Sequence, residues 1–342
     1  MAGLVAAARA RERGVDPLVL EKGTRPGGSM LLSSCVIWRY RSLEEFRAEC
    51  PGGDPELQRL VVERLDDAIA WLESLGAATV WEETGNPRTV GKRFDPASLT
   101  KALVRAAGKP RLSSTLPAGA EPPLVLATGG YPVRFAAEHG LLVRSNPWSD
   151  GGGIAYARAC GADLTGAQDE FYGRNMPAPP ARIDEQDYVG LAQLYGRFAE
   201  VVNDDGRTFF RGPPSWSETD LVQATARQPG GRAWYVVDEA ALEERVRGRT
   251  VREMVEAARA AGGEVAERGD GRIAVHVAAA VTHTVGGLRV DTQARVLRED
   301  GGPIDGVYAA GVDAGGISGG GYASGLATAL VLGLAAAEDL TG

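Results

Sequence analysis

Two hydrophobic periodicities alternate along this chain and predict a protein of mixed helices and strands. Between residues 55 and 76, apolar side chains recur every three or four positions, the spacing of an amphipathic helix with one face in a core. Similar spacing, together with helix-starting residues such as Asp95 followed by Pro96, predicts further helices. The predicted helices cover residues 4–13, 42–48, 55–76, 96–107, 154–160, 239–261 and 326–340.

Short apolar runs lie between these helices and predict buried strands of a parallel sheet. Those over residues 18–21, 124–130 and 307–313 end in glycine or an acidic residue. Small residues at the carboxyl ends of parallel strands leave room for a ligand along that edge of the sheet, so that these ends predict a cofactor site. The other predicted strands are residues 233–237 and a hairpin of 288–291 with 294–297.

The opening of the chain has the order of a dinucleotide-binding βαβ unit. Gly3 precedes an alanine-rich helix, as the last glycine of a G-x-G-x-x-G fingerprint does, and Glu21 follows the next strand, where a carboxylate can accept a hydrogen bond from a ribose hydroxyl. On this alignment we expect the first two glycines, and the strand that carries them, to precede residue 1. An ordinary amphipathic helix followed by a strand is the alternative interpretation.

Glycine clusters mark residues 22–29, 149–153 and 315–325 as loops. Backbone N–H groups in such loops can approach a phosphate closely, and a glycine-rich entry to a helix suits an anion. A plain surface loop has the same composition, and the first cluster by itself supports both interpretations equally.

Composition and charge exclude several classes of function. The 342 residues carry a net charge of −8 without a basic run interleaved with aromatics, so that we expect neither a nucleic-acid partner nor a membrane surface. Three cysteines without a C-x-x-C pair and only three histidines indicate a reducing cytoplasm and no metal site, and we interpret the cysteines as buried apolar residues. No segment is typical of a signal peptide or long enough to span a bilayer.

Six segments occur in the order typical of one family and cover most of the chain. They are LVLEKGTRPGGS (18–29), LVLATGGY (124–131), DGGGIAYARACGADL (150–164), VVNDDGRTFF (201–210), THTVGGLRVDTQARVL (282–297) and IDGVYAAGVDAGGISGGGYASGLATALVLG (304–333). With these segments the chain resembles, in N-terminally truncated form, the FAD-binding flavoproteins of the fumarate reductase and succinate dehydrogenase superfamily. The 3-ketosteroid dehydrogenase and tricarballylate dehydrogenase-like branches are the most similar.

The resemblance implies non-covalently bound FAD in an α/β fold. It implies a Rossmann-like flavin domain without its first strand, over residues 1–172 and 280–342, and an inserted α+β capping or substrate domain over 173–279. The N-terminus of the last helix would face the flavin pyrimidine and stabilise the anion that forms on reduction. The FAD-binding residues implied by position are Gly3, Glu21, Lys22, Gly27, Gly28, Ser29, Ala127, Thr128, Gly129, Gly311, Asp313, Ser324, Gly325 and Leu326.

Two departures from the family pattern bear on the substrate. Fumarate reductases have substrate-clamping and proton-delivering arginines in the segments that correspond to residues 319–322 and 206–209, and here both positions differ. Fumarate reduction itself is therefore not expected. Tyr322 instead resembles a tyrosine of the ketosteroid and tricarballylate branches that touches the substrate carbonyl or accepts a proton.

The other implied catalytic residues are less distinctive. His283 matches the family's substrate-binding histidine in an H-x-x-G-G stretch, and Tyr172 and Arg174 lie where the chain leaves the first flavin-domain segment, where they could line a cleft between domains. For His283 and Tyr322 a packing role is the alternative, and for Tyr172 and Arg174 a hinge or salt-bridge role is equally open.

We therefore predict a cytoplasmic FAD-dependent oxidoreductase acting on the CH–CH group next to a carbonyl or carboxyl group, with hydride transfer at flavin N5. Its substrate would be a small organic molecule. The sequence does not identify its electron acceptor. One alternative is a non-catalytic, flavin-free fragment, because the phosphate loop lacks its first strand. The other is a nicotinamide-dependent reductase, although the ATGG and HTVGG segments favour flavin.

Overall fold

The computed structural model describes residues 1–117 and 119–342. In chain order, its helices are α1 (Ala2–Glu12), α2 (Gly28–Leu31), α3 (Leu43–Glu49), α4 (Pro55–Ser74), α5 (Pro96–Ala107), α6 (Pro132–His139), α7 (Gly152–Ala159), α8 (Thr219–Ala226), α9 (Glu239–Leu242), α10 (Val251–Ala260) and α11 (Gly325–Leu340). Its strands are β1 (Val36–Tyr40), β2 (Thr79–Trp81), β3 (Thr89–Phe94), β4 (Leu124–Leu126), β5 (Leu142–Val143), β6 (Phe171–Pro177), β7 (Glu200–Val202), β8 (Arg232–Val237), β9 (Arg245–Val246), β10 (Arg249–Thr250), β11 (Val265–Glu267), β12 (Ile273–Thr284), β13 (Arg295–Leu297) and β14 (Pro303–Ala309).

The chain divides into two compact units, each discontinuous in sequence. The first combines Met1–Tyr131, Asn146–Glu170 and His283–Gly342, and the second combines Pro132–Ser145 and Phe171–Thr282. The second unit thus includes residues 132–145, 171–172 and 280–282 in addition to the segment 173–279 assigned to a capping domain from sequence. That it caps a flavin stays a prediction.

The first unit is built on the parallel pair of β4 and β14, as the apolar runs predict. Val307 lies opposite Leu124, and β13 pairs antiparallel on the far side of β14. The helices α1 and α11 pack closely, since a Cβ built on Gly333 would lie 2.9 Å from the carbonyl oxygen of Ala2. Although α11 is almost wholly buried, no helix in the described part of the chain is both long and apolar enough to cross a membrane.

The strand predicted over residues 18–20 is wrong as a regular element. Leu18 is 66% exposed, and the pairing is reduced to one parallel bridge between Leu20 and Arg111. Two hydrogen bonds surround it, from the Arg111 N–H to the Val19 carbonyl (2.8 Å) and from the Glu21 N–H to the Arg111 carbonyl (2.9 Å). Ser113 takes a left-handed conformation (φ 49°), and the N–H groups of Ser113 and Ser114 then donate to the carbonyls of Gly23 (2.9 Å) and Glu21 (3.0 Å). The two segments therefore stay in contact without forming a regular ladder.

Two other predicted elements end earlier than expected. The strand β14 stops at Ala309, and a 3-10 turn over Gly311–Asp313 follows, because Gly311 has a positive φ of 71°. The single helical region predicted over residues 239–261 is divided into α9 and α10 by the hairpin of β9 and β10.

The second unit contains a mixed sheet in the order β11-β12-β8-β7, with β5 and β6 also pairing with β12. Its core includes Tyr195, Tyr235 and Met254, all fully buried. The long strand β12 was not predicted. Its alanines at 278–280 are buried, and their small side chains suit the middle of a covered sheet.

Two smaller features differ from expectation, and one agrees with it. The antiparallel sheet β1-β3-β2 was not predicted. The hairpin predicted over residues 288–297 is present as a short pairing: Val290 bridges to Val296, and the Leu297 N–H donates to the Arg289 carbonyl (2.9 Å), while the other edge of β13 pairs with β14. Cys160 is exposed, whereas Cys35 and Cys50 are buried as expected, and burial raises the pKa of both buried thiols to about 12.

Candidate cofactor site

Asp313 joins the carboxyl ends of β4 and β14, the edge at which the sequence predicts a cofactor. Its side chain is fully buried and accepts hydrogen bonds from the Thr128 hydroxyl (2.8 Å), the Gly129 N–H (3.0 Å) and the Thr128 N–H. Burial raises the pKa of this carboxyl, and the hydrogen-bond donors oppose that rise. Asp313 therefore fixes the turn after β4, and its contact with a ribityl chain stays a prediction.

The Glu21 carboxylate is held by the loop that follows it. Its Oε1 accepts a hydrogen bond from the N–H of Gly23 (2.7 Å). The next residue, Lys22, forms an ion pair with Asp150 (2.5 Å), and this contact lowers the pKa of the Asp150 carboxyl. The loop thus fixes one oxygen of Glu21 and ties the segment after it to residue 150.

Two glycines shape the rest of this loop. Gly27 and Gly28 have φ values of 111° and 54°, which glycine adopts without a steric penalty, and they bring the chain into the short helix α2. The hydroxyl of Ser29 accepts a hydrogen bond from the N–H of Asn146 (3.1 Å). The predicted cofactor residues between 21 and 29 therefore share one tightly turned loop.

The N-terminus of α11 offers backbone donors. Ser324 caps the helix by accepting a hydrogen bond from the N–H of Ala327 (3.3 Å). Within the part of the chain that the structure describes, no group accepts a hydrogen bond from the N–H of Gly325 or Leu326. These two donors, at the positive end of a buried helix, suit an anionic ligand.

The structure brings His283 to this helix end. A Cβ built on Gly325 would lie 3.4 Å from Cε1 of the His283 ring. Burial lowers the pKa of His283 from 6.5 to about 4. The imidazole is therefore neutral at physiological pH and sits beside the free N–H groups.

Gly3 and Gly311 allow α1 to approach the strand ends. A Cβ on Gly3 would lie 3.3 Å from the Cβ of Ala127, and one on Gly311 would lie 3.2 Å from the Cβ of Ala2. These distances are tighter than ordinary van der Waals contacts. The last fingerprint glycine predicted from sequence is therefore found where a helix packs closely on a sheet.

Tyr322 is positioned by aromatic residues of β1. The Tyr40 hydroxyl donates a hydrogen bond to the backbone carbonyl of Tyr322 (2.7 Å), and the ring centroids of Trp38 and Tyr322 are 5.3 Å apart. Sequence reasoning missed both β1 residues. Their only signal was a short aromatic run at residues 38–40, which has no recognisable motif.

Close packing accounts for the glycines before Tyr322. A Cβ on Gly319 would lie 2.8 Å from the carbonyl oxygen of Gly52, and one on Gly321 would lie 2.8 Å from the carbonyl carbon of Glu49. In addition, the carboxylate of Glu170 accepts a hydrogen bond from the Gly320 N–H (2.8 Å). The composition of this loop thus has a packing cause in addition to any ligand.

Tyr172 and Arg174 lie in the second unit, on the buried strand β6. Arg174 is 3% exposed, its guanidinium carbon lies 4.9 Å from the centre of the Tyr172 ring, and it donates a hydrogen bond to the Ser217 carbonyl. The nearby Glu218 is buried in a left-handed conformation (φ 56°), and burial raises its pKa to about 6. These contacts are internal to the second unit, and catalytic roles for both residues stay predictions.

The groups of the first unit fit FAD. Glu21 has an oxygen that could accept from a ribose hydroxyl, the glycine turn at 27–29 suits a phosphate, and the N-terminus of α11 suits a ring that becomes negatively charged. The buried hydroxyl of Thr284 has no hydrogen-bond partner among the described residues and would lie 3.1 Å from a Cβ on Gly130, beside the same strand ends. An unsatisfied buried hydroxyl at this position is consistent with a polar ligand.

Comparison with known families and curated proteins gives two matches and one negative result. Residues 110–327, more than half of the chain, match the family described as FAD binding domain. Residues 1–34 match the family described as NAD(P)-binding Rossmann-like domain. A search of curated proteins finds no match.

Solved flavoproteins share the fold. A flavocytochrome c3 fumarate reductase in its open conformation is 21% identical, with a TM-score of 0.72 over 99% of this chain and 76% of its own. The 3-ketosteroid-Δ4-(5α)-dehydrogenase of Rhodococcus jostii RHA1, in complex with 4-androstene-3,17-dione, is 21% identical, with a TM-score of 0.70 over 100% of this chain and 95% of its own. The 3-ketosteroid Δ1-dehydrogenase of Sterolibacterium denitrificans, in complex with 1,4-androstadiene-3,17-dione, is 15% identical, with a TM-score of 0.73 over 99% and 97%.

Proposed function

This chain belongs to the FAD binding domain family, and on that premise we propose that it is an oxidoreductase acting on a carbon–carbon bond next to a carbonyl or carboxyl group. One observation carries the proposal. A neutral His283 lies beside the free N–H groups at the start of α11. Such an arrangement of donors suits both a ring that gains negative charge and a substrate oxygen that must be polarised.

Different residues of the chain would hold the two parts of the cofactor. Glu21, Ser29 and Thr128 would hold its adenosine and phosphate part, and the N–H groups of Gly325 and Leu326 would face its redox-active ring. When bound, FAD supplies a two-electron acceptor that takes a hydride at N5.

The remaining chemistry is proton transfer and polarisation. Loss of a hydride from the β-carbon must be accompanied by loss of a proton from the α-carbon, and a donor to the carbonyl oxygen makes that proton more acidic. His283 is neutral and can donate such a hydrogen bond, and the Tyr322 hydroxyl would take or return the proton. We retain Tyr172 and Arg174 as candidate substrate-binding residues.

The substrate class is a ketone in preference to a dicarboxylate. The two arginine positions typical of fumarate reductases differ in this chain, as the segments at 206–209 and 319–322 show. Two flavoproteins of the same fold are ketosteroid dehydrogenases. A small organic ketone with a neighbouring CH–CH bond is therefore the first compound class to test.

The test follows the flavin absorbance of the purified protein. We expect a yellow protein, or one that becomes yellow with added FAD, whose oxidised-flavin absorbance falls when an oxidisable substrate is added without oxygen. The panel is 4-androstene-3,17-dione and other cyclic ketones, with succinate as the dicarboxylate comparison. If succinate bleaches the flavin and the ketones do not, the substrate class is a dicarboxylate and not a ketone.

The two alternatives have distinct outcomes in the same experiment. A protein that stays colourless with excess FAD would support a flavin-free fragment. Tight binding of NADH without flavin uptake would support a nicotinamide-dependent reductase, for which the match of residues 1–34 is the relevant observation.

A further inference from the structure

Residues 146–150 contact the loop after Glu21 at three points. The Asn146 N–H donates to the Ser29 hydroxyl (3.1 Å), and Asp150 pairs with Lys22 (2.5 Å). Between them, the Trp148 ring lies directly on Gly23, where a built Cβ would come within 2.6 Å of the ring atom Cζ3. All of these contacts are within the first unit.

The same segment continues to the end of β4. Ser149 is buried against Gly129, where a built Cβ would lie 3.3 Å from the Ser149 Cβ. At the start of α7, the Gly153 N–H donates to the Thr128 hydroxyl (3.3 Å). Residues 146–153 therefore connect the two segments that supply the proposed adenosine and phosphate contacts.

Trp148 acts on Glu21 through one intermediate residue. Gly23, held under the Trp148 ring, donates its N–H to Oε1 of Glu21 (2.7 Å). A carboxylate with one oxygen fixed in this way presents its other oxygen in a defined direction. Replacing Gly23 by any other residue would displace the Trp148 ring, because the new Cβ would overlap it.

A contribution to fold stability does not by itself explain these contacts. The Lys22 and Asp150 side chains are 42% and 48% exposed, and ion pairs between exposed side chains contribute little to folding. Trp148 is only half-buried, and the guanidinium of Arg25 lies 5.7 Å from its ring centre. Their common feature is that each contacts a residue of the loop after Glu21.

We propose that residues 146–153 form a positioning segment for FAD, in which Trp148 orients the Glu21 carboxylate toward the adenosine ribose. This proposal rests on the proposed function, since it assumes that FAD is the ligand of the Glu21 loop. Trp148, Ser149 and Asp150 act through Gly23, Gly129 and Lys22 and need not touch the cofactor.

The experiment measures the dissociation constant of FAD from the full chain by the recovery of FAD fluorescence on dilution. We expect Trp148→Ala to weaken FAD binding about tenfold, the effect of one hydrogen bond to a charged group. The matched control is Trp81→Ala, because Trp81 also lies on a glycine, Gly85, in the same unit. We expect the control to bind FAD as the wild type does.

A double-variant comparison separates positioning from direct contact. As a single variant, Gly23→Ala should weaken FAD binding. In the double variant with Trp148→Ala, where the ring is absent, it should cause no further loss of FAD affinity. For the ion pair, Asp150→Asn should weaken binding, whereas Glu82→Gln, which breaks the exposed pair of Glu82 with Lys92 (2.9 Å), should not. Apo-protein melting temperatures that match the wild type would show that these losses are not unfolding.

The outcomes distinguish this proposal from the function on which it rests. If the wild type binds FAD and Trp148→Ala binds it equally well, the positioning role of residues 146–153 is overturned and the proposed function is unaffected. If the wild type does not take up FAD, both are overturned.

Discussion

The backbone of Tyr322 is held independently of its hydroxyl. Tyr40 donates to its carbonyl (2.7 Å) and Trp38 packs on its ring, so that Tyr322→Phe should leave the loop in place. We expect this variant to keep its FAD spectrum while its reduction by substrate slows at least about 100-fold, as for loss of a proton-transfer group. Rapid mixing with the substrate identified from the panel measures that rate.

The control for Tyr322 is Tyr308→Phe. The Tyr308 hydroxyl donates to Asp339 (2.8 Å), so that its loss removes one structural hydrogen bond elsewhere in the same unit. We expect flavin reduction at the wild-type rate in this variant. Equal rates for Tyr322→Phe and the wild type would remove Tyr322 from the mechanism.

His283 should make the stability of the protein depend on pH. Its pKa is about 4 in the folded protein, against an ordinary value of 6.5, so that the unfolded chain binds the extra proton between these values. Stability present above pH 6.5 is therefore lost as the pH falls toward 4, by up to about 3 kcal/mol. His283→Gln should reduce this loss, as measured by urea unfolding at pH 7.5 and 5, and the exposed His139→Gln should not. Identical pH profiles for wild type and His283→Gln would contradict the burial of the imidazole.

The glycine loop before α11 was predictable from the sequence in part, and its packing was not. The sequence marks residues 315–325 as a loop beside a helix N-terminus, and the structure agrees. The sequence could not show that Gly319 and Gly321 lie against the backbone of residues 49–52, because that segment is about 270 residues away along the chain.

We expect Gly321→Ala to destabilise the protein by about 1–3 kcal/mol, the usual cost of forcing an extra methyl group into a packed site. The added Cβ would overlap the Glu49 carbonyl, and Gly321 does not need a positive φ, so that packing is the only cause. Urea unfolding measures the change. Gly166→Ala is the control, because a Cβ there meets nothing within 4 Å. A Gly321 variant as stable as the Gly166 variant would refute the packing argument.

Secondary structure was most predictable where a local signal is sufficient. Asp95 caps α5 by accepting from the Ser98 N–H (2.7 Å), and the helix begins at Pro96 as its sequence predicts. The run at 18–20 failed because an apolar strand also needs a partner of matching length, and Arg111 supplies only one bridge. Strand β12 was missed because its alanines carry no alternating pattern when both faces are covered.

Binding of FAD should stabilise the whole molecule. At a free concentration about 100 times the dissociation constant, FAD should add about 2.7 kcal/mol to the free energy of unfolding and raise the melting temperature. FMN, which lacks the adenosine that Glu21 and the loop at 22–29 are proposed to hold, should raise it much less. Thermal melts with each flavin measure the difference, and equal shifts would contradict the assignment of that loop.

The sequence by itself determined the helices with clear caps, the parallel pair of β4 and β14, and the family, because these depend on local spacing and on motifs such as LVLATGG. Only the tertiary structure brought Asp313 to Thr128, His283 to the start of α11, and Trp148 to Gly23. These pairs are separated by about 40 to 190 residues and have no shared periodicity. Their proximity results from which strands pair and how closely glycine lets segments pack, and neither can be read from local patterns.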